Sequence, residues 1–141
     1  MGMVTVVQAL KELGITEWTL KGKTTNEEEF NANFKKVIGA DSNGTAIKSD
    51  DPSKFGVTWS QVAAKKKELE DAAPMKELRR QRDLKLAETD YYSLSDVTMS
   101  DDMKTYRQSL RDITKNAKPT LTNDGSQYGV LGNVTWPTKP T

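Results

Sequence analysis

The sequence predicts an α+β protein: a small N-terminal α/β element of short helices and a two-stranded β pairing, then a helical pair, then an extended C-terminal arm. Three observations carry this. Apolar residues recur at three- and four-residue steps, most cleanly at Met103, Tyr106, Leu110 and Ile113. Short alternating stretches around Trp18 and Trp59 read as strands. Beyond Asn116 the chain offers turn formers and prolines with no periodic run. The expected divisions are residues 1–59, 60–115 and 116–141.

The elements follow in order. In VTVVQALKEL, Val6, Val7, Leu10 and Leu13 share a helical face and Gly14 is a stop, although a Val-rich start also suits a strand. Glu17 to Lys21 alternates Trp18 and Leu20 with polar neighbours, a half-buried strand closed by Gly22. Thr25 and Glu28 have capping-box spacing, and Phe30, Phe34, Val37 and Ile38 then form one stripe up to Gly39, which predicts a helix. ADSNGTAIKSDDPSKFG reads as a loop with turns at Ser42-Asn43-Gly44 and Asp51-Pro52-Ser53. Val57 to Trp59 is expected to pair with Glu17 to Lys21, and Ser60 to cap a helix reaching about Asp71.

Pro74 cannot donate a helical hydrogen bond, so a break or kink is expected at Ala73-Pro74 before a second helical segment. That segment carries Met75, Leu78 and Leu86, with Arg82 in the row between the two leucines. Arg82 either lays its stem on the core and reaches outward or pairs with a carboxylate such as Asp112. Thr89 to Met99 turns the chain, Ser100 caps the last helix with Asp101 and Asp102 in its first turn, and TNDGS marks a hairpin-type turn.

Composition narrows the function. Hydrophobic residues make up 35% and charged residues 29% of the chain, and the 21 basic and 20 acidic side chains leave a net charge of +1. Both signs are interspersed, which gives no electrostatic reason to expect nucleic acid or a membrane as partner. With no cysteine and no histidine, disulfides, zinc sites built on nitrogen or sulfur, and Cys–His or histidine acid–base chemistry are excluded. MGMVTVVQAL lacks the basic and long apolar regions of a signal peptide. No phosphate loop, dinucleotide-binding glycine pattern or nucleophile elbow is present. The acidic stretch from Asp41 to Asp51 shares only its composition with a calcium loop. No cofactor, metal site or catalytic set is expected. A carboxylate-based hydrolase is the enzymatic alternative, but it needs two acids converging in a rigid concave site, and most acids here sit beside lysines on helix faces.

The second half carries a family pattern. Leu78-Arg79 is followed by Arg82-Asp83, then by Leu86-Ala87-Glu88-Thr89-Asp90 leading into Tyr91-Tyr92. Tyr106-Arg107, Leu110-Arg111-Asp112 and a terminal Trp136-Pro137 complete it. This ordered set resembles phage tail assembly chaperone proteins, relatives in kind of tail-fibre assembly proteins. The first half is similar to the leading region of tail proteins in marine, cyanophage-like phages. At Tyr91-Tyr92 such proteins often carry Trp. The resemblance implies a non-enzymatic assembly factor that binds a phage tail, fibre or baseplate polypeptide in the host-cell cytoplasm. The alternative it leaves is a permanent minor component of the virion tail. The candidate partner-binding residues are Arg82, Tyr91, Tyr92, Tyr106, Arg107, Arg111, Trp136 and Pro137. Trp136, stiffened by the adjacent proline, is either a lid on its own core or an anchor in a partner.

Overall fold

The computed structural model describes residues 4–141; Met1–Met3, the start of the stretch read above as lacking a signal peptide, lie outside them. The chain is α+β, with α1 (Val6–Glu12), β1 (Trp18–Leu20), α2 (Glu27–Asn33), β2 (Phe34–Ala40), β3 (Ala46–Ser49), α3 (Trp59–Ala87), α4 (Asp101–Asn116), β4 (Thr120–Thr122) and β5 (Val130–Gly132). Short 3-10 turns lie at Pro52–Lys54 and Asp90–Ser93. Contacts divide it into two units, Val4–Asp71 and Ala72–Thr141.

In the first unit, Thr5 caps α1 by a reciprocal capping box with Gln8, satisfying two backbone donors that helix geometry orphans. Val6, Ala9 and Leu10 face inward, while Val7, expected on that face, is half exposed. The cap of α2 is Asn26 rather than Thr25: its side chain accepts from the Glu29 backbone, and the Thr25 backbone donates to the Glu29 carboxylate. The Thr25 hydroxyl also donates to that carboxylate and holds its pKa below the ordinary glutamate range.

The expected helix over Val37 and Ile38 is overturned. The chain turns extended at Phe34, and β2 pairs antiparallel with both β1 (Trp18↔Lys36) and β3 (Lys36↔Ser49). Phe30 and Phe34 satisfy the helical spacing and are both fully buried, but the β-branched pair after them suits a ladder. The loop expected over residues 40–56 also contains β3. Its turn is where the sequence indicated: Asp41 accepts from the Asn43 and Thr45 backbones, and Gly44 takes φ +81°. Val57 to Trp59 is not a strand. Val57 is buried, and Thr58, not Ser60, caps α3 by exchanging hydrogen bonds with Gln61. The partner of β1 is therefore β2.

The core of this unit is aromatic. Phe30, Phe34 and Phe55 are fully buried with Leu10 and Val62, and Trp18 and Trp59 pack at their margin. Phe34 lies 4.8 Å from Phe30 and 4.7 Å from Phe55, centroid to centroid. Such pairs contribute about 0.5–1.5 kcal/mol each beyond their buried area.

The expected break at Pro74 is overturned too. Helix α3 continues through it for 29 residues. The proline removes a bond to the Glu70 carbonyl, a cost of about 3 kcal/mol. On the preceding turns Lys65, Lys66 and Lys67 pair with Glu68, Glu70 and Asp71, and on the following one Leu78 is fully buried. Exposed pairs of this kind contribute only about 0.3–0.5 kcal/mol each, so burial of Leu78 is the larger offset.

In the second unit, Ser100 caps α4 by accepting from the Met103 backbone, as the sequence indicated. After α4, β4 and β5 form an antiparallel hairpin, giving structure to the start of the expected arm. A Cβ at Gly129 (φ +73°) would stand 2.8 Å from the Thr122 carbonyl oxygen, so the turn requires glycine there. Residues 133–141 then run without regular structure. No helix among the described residues is long and apolar enough to cross a membrane.

Candidate functional site

The candidate residues lie in the second unit, around the apolar face of α4. Met103, Tyr106 and Leu110 form a buried cluster because their spacing puts them on one side of the helix. Leu86 at the end of α3, Tyr92 and Met99 in the connection, and Trp136 in the C-terminal tail pack against it. Burial, with a smaller effect from the Glu88 carboxylate, holds the Tyr106 phenol above its usual pKa.

A polar clasp closes one end of this cluster. The Arg107 guanidinium donates from Nη1 to the Leu86 carbonyl oxygen at 2.9 Å and to the Thr89 hydroxyl, and from Nη2 to Asp90 Oδ1 at 2.9 Å. Leu86 lies in the last turn of α3, where its carbonyl also accepts from the Thr89 backbone, and a cation there is favoured by the helix dipole. Thr89 is fully buried, and its hydroxyl in turn donates to Leu86.

Trp136 is half-buried. Lys85 Nζ sits 4.8 Å from its ring centroid, and three residues on Lys139 reaches Glu88 at 3.8 Å. Pro137 beside it is half-buried as well. Tyr91 is 52% exposed and stacks on Tyr92 with centroids 4.3 Å apart. A hydrogen bond with Tyr92 raises the Tyr91 phenol pKa.

Arg82 and Arg111 stand apart from the cluster. Arg82 Nη2 pairs with the adjacent Asp83 at 2.9 Å. Its proposed pairing with Asp112 is overturned: Asp112 accepts from Gln108 at 3.1 Å and pairs with Lys115 at 3.0 Å. The latter bond, then Gln108, depresses the Asp112 pKa. Both partners are within four residues of Asp112 on α4, and local pairing needs less ordering than a reach across elements. Arg111 is exposed, with Nη1 3.5 Å from Gln108 Oε1. Tyr92, Tyr106 and Trp136 thus share one cluster, Arg107 adjoins it, Arg82 is half-buried beside Asp83, and Tyr91 and Arg111 are exposed.

Sequence reasoning missed a second polar assembly. The Glu77 carboxylate, only 5% exposed, accepts from Arg80 and Gln81, and the Arg80 guanidinium lies 3.7 Å over the Tyr128 ring. The Arg80 hydrogen bond outweighs burial and depresses the Glu77 pKa. The three- and four-residue spacing of Glu77, Arg80 and Gln81 was visible; the approach of Tyr128 had no local signal.

Residues 75–141 match the phage tail assembly chaperone protein family. The match starts within α3, takes in every candidate residue, and leaves the first unit unmatched. The description of that family names a chaperone of phage tail assembly. The similarity of the first half to tail proteins of marine, cyanophage-like phages gains no support. No curated protein and no solved structure matches the chain.

Proposed function

We propose that this chain, whose segment from Met75 onward carries the phage tail assembly chaperone match, binds a tail, fibre or baseplate polypeptide transiently and shields it until assembly. The match over residues 75–141 carries the reading. The surface of the same unit supports it: Leu84, Tyr91 and Leu94 are each more than half exposed around the end of α3 and the connection to α4. Exposed large apolar side chains close in sequence suit contact with a client's apolar surface or unpaired strand edge.

In this reading Tyr91, Arg82 and Arg111 touch the client. Tyr92, Tyr106 and Arg107 hold the face that presents them, and Trp136-Pro137 covers its apolar base. Binding a client only before it is incorporated raises the population of its soluble form by mass action.

Co-expression with the neighbouring tail genes, followed by analysis of purified particles, tests this. The expected result is co-purification with one tail, fibre or baseplate protein and absence of the chain from mature virions. Stoichiometric presence in virions would favour the alternative, a permanent minor tail component.

A further inference from the structure

We propose that the apolar face of α4 beneath Trp136 is a peptide-docking groove for a tail polypeptide. It would take an extended segment with the order aromatic, proline, any residue, base, and the chain's own C-terminal tail is its internal competitor.

The groove's present occupant defines what it accepts. The Trp136 ring covers the cluster of Met103, Tyr106 and Leu110. Lys85 lies over that ring, and Glu88, one helical turn beyond Lys85, receives Lys139. Pro137 follows the aromatic and limits the chain to extended backbone, so little entropy is lost on seating. Cation, apolar floor and carboxylate thus match the order Trp136-Pro137-Thr138-Lys139.

The occupant is also replaceable. Residues 133–141 add no strand to the β4–β5 hairpin. Trp136 is only half-buried, and the Lys139–Glu88 pair has side chains 48% and 55% exposed, so solvent screening weakens it. The segment departs from β5 at Asn133, which takes φ +57° and donates to the Lys118 carbonyl oxygen at 2.8 Å. That anchor keeps the hairpin fixed while the chain beyond it exchanges. A competitor tethered in cis lowers the apparent affinity for a segment in trans without altering the groove.

This rests on the reading of the second unit as partner-binding, and the probe is chosen to separate the two. A labelled peptide spanning residues 133–141 is titrated by fluorescence polarisation against the full chain. The Trp136→Ala chain should bind it saturably, and the wild-type chain about tenfold more weakly or worse, because its own tail competes. A peptide with Trp136→Ala should not bind. A peptide with Lys139→Glu should bind weakly, and Glu88→Lys in the Trp136→Ala chain should restore it. Should Trp136→Ala unfold α4 by circular dichroism, the Lys139→Glu chain replaces it and should bind the wild-type peptide more tightly than the wild-type chain does.

Equal binding by wild type and variants, no saturable binding to a folded variant, or indifference to both peptide changes would overturn the proposal. A concentration-dependent dimer abolished by Trp136→Ala would assign the groove to a second copy's tail and overturn it likewise. Peptide binding that holds while no tail protein co-purifies would refute the assembly reading and leave the groove standing.

Discussion

Replacing Leu110 with Ala tests whether the α4 cluster holds the second unit together. Leu110 is fully buried in a cluster with Met103 and Tyr106, against which the half-buried Leu86, Tyr92, Met99 and Trp136 pack. Leu→Ala removes about three carbon groups' worth of burial, roughly 2.4 kcal/mol at about 0.8 each. A residual cavity raises measured costs toward about 5 kcal/mol where the surroundings are rigid. Here four of the neighbours are only partly buried and can move inward, so the expected loss is in the lower part of that range, about 2–3 kcal/mol. For a unit of this size that lowers its melting temperature by about 10–20 °C. Urea denaturation with amide exchange read at α4 measures the change where it occurs. Leu84→Ala is the control, since Leu84 is 55% exposed, and its shift should fall within about 0.5 kcal/mol. Equal effects of the two substitutions, or unchanged α4 protection in Leu110→Ala, would refute the packing argument.

Arg107→Lys keeps the charge but loses the fork that serves Leu86, Thr89 and Asp90 together; it should cost about 1–3 kcal/mol and speed exchange at the end of α3. Pro74→Ala restores the backbone donor to the Glu70 carbonyl inside α3 and should stabilise the helix by up to about 3 kcal/mol, visible as higher urea resistance and slower exchange around residue 74. The depressed Glu77 pKa means its pairing with Arg80 stabilises the fold above the ordinary carboxylate range, and this contribution fades as pH falls through the lower folded value. In an acid titration of stability Glu77→Gln should therefore flatten the acid limb, and an unchanged limb would show that Glu77 is not a source of it.

What could be read from sequence was what local chemistry decides. Ser100 with its following aspartates and the turn at Ser42-Asn43-Gly44 are fixed by neighbours within four residues. The α4 face was equally plain, since Met103, Tyr106 and Leu110 share a side of a well-capped helix. The failures fall where a distant partner decides. Phe30, Phe34, Val37 and Ile38 fit a helical period, yet β1 at Trp18 and β3 at Ser49 claim residues 34–40 as the middle strand of a sheet. Pairing of that kind has no signature in a short apolar run. Val57 looked like a strand because it precedes Thr58-Trp59, whereas it is a single buried residue before a capped helix. In the candidate site, the aromatic and basic positions could be picked out in the sequence, but not which of them the fold brings together. That Arg107 turns inward to the end of α3 while Arg82 stays with its sequence neighbour depends on the turn between Thr89 and Ser100.

The two units are stabilised by different means, and this bears on the proposed assembly role. The first has an aromatic centre of three fully buried phenylalanines, which neither salt nor moderate pH change weakens. The second, which carries the family match, has a smaller buried cluster of Met103, Tyr106 and Leu110. The same unit carries polar reinforcements: Arg107 on Thr89 and Asp90, Arg80 between Glu77 and Tyr128, and Lys85 on Trp136. A unit built this way holds its shape while leaving several aromatics at or near the surface. Exposed ion pairs contribute little, so Lys139–Glu88 is readily lost, whereas the Arg107 side chain, 13% exposed, also holds the Leu86 carbonyl and the buried Thr89 hydroxyl, bonds that screening touches less. On the proposed reading, α4 clasped to the end of α3 is the fixed part and the tail over the apolar face is the part that leaves. That division is what a protein needs if it is to expose an apolar surface to a client and cover it again after release.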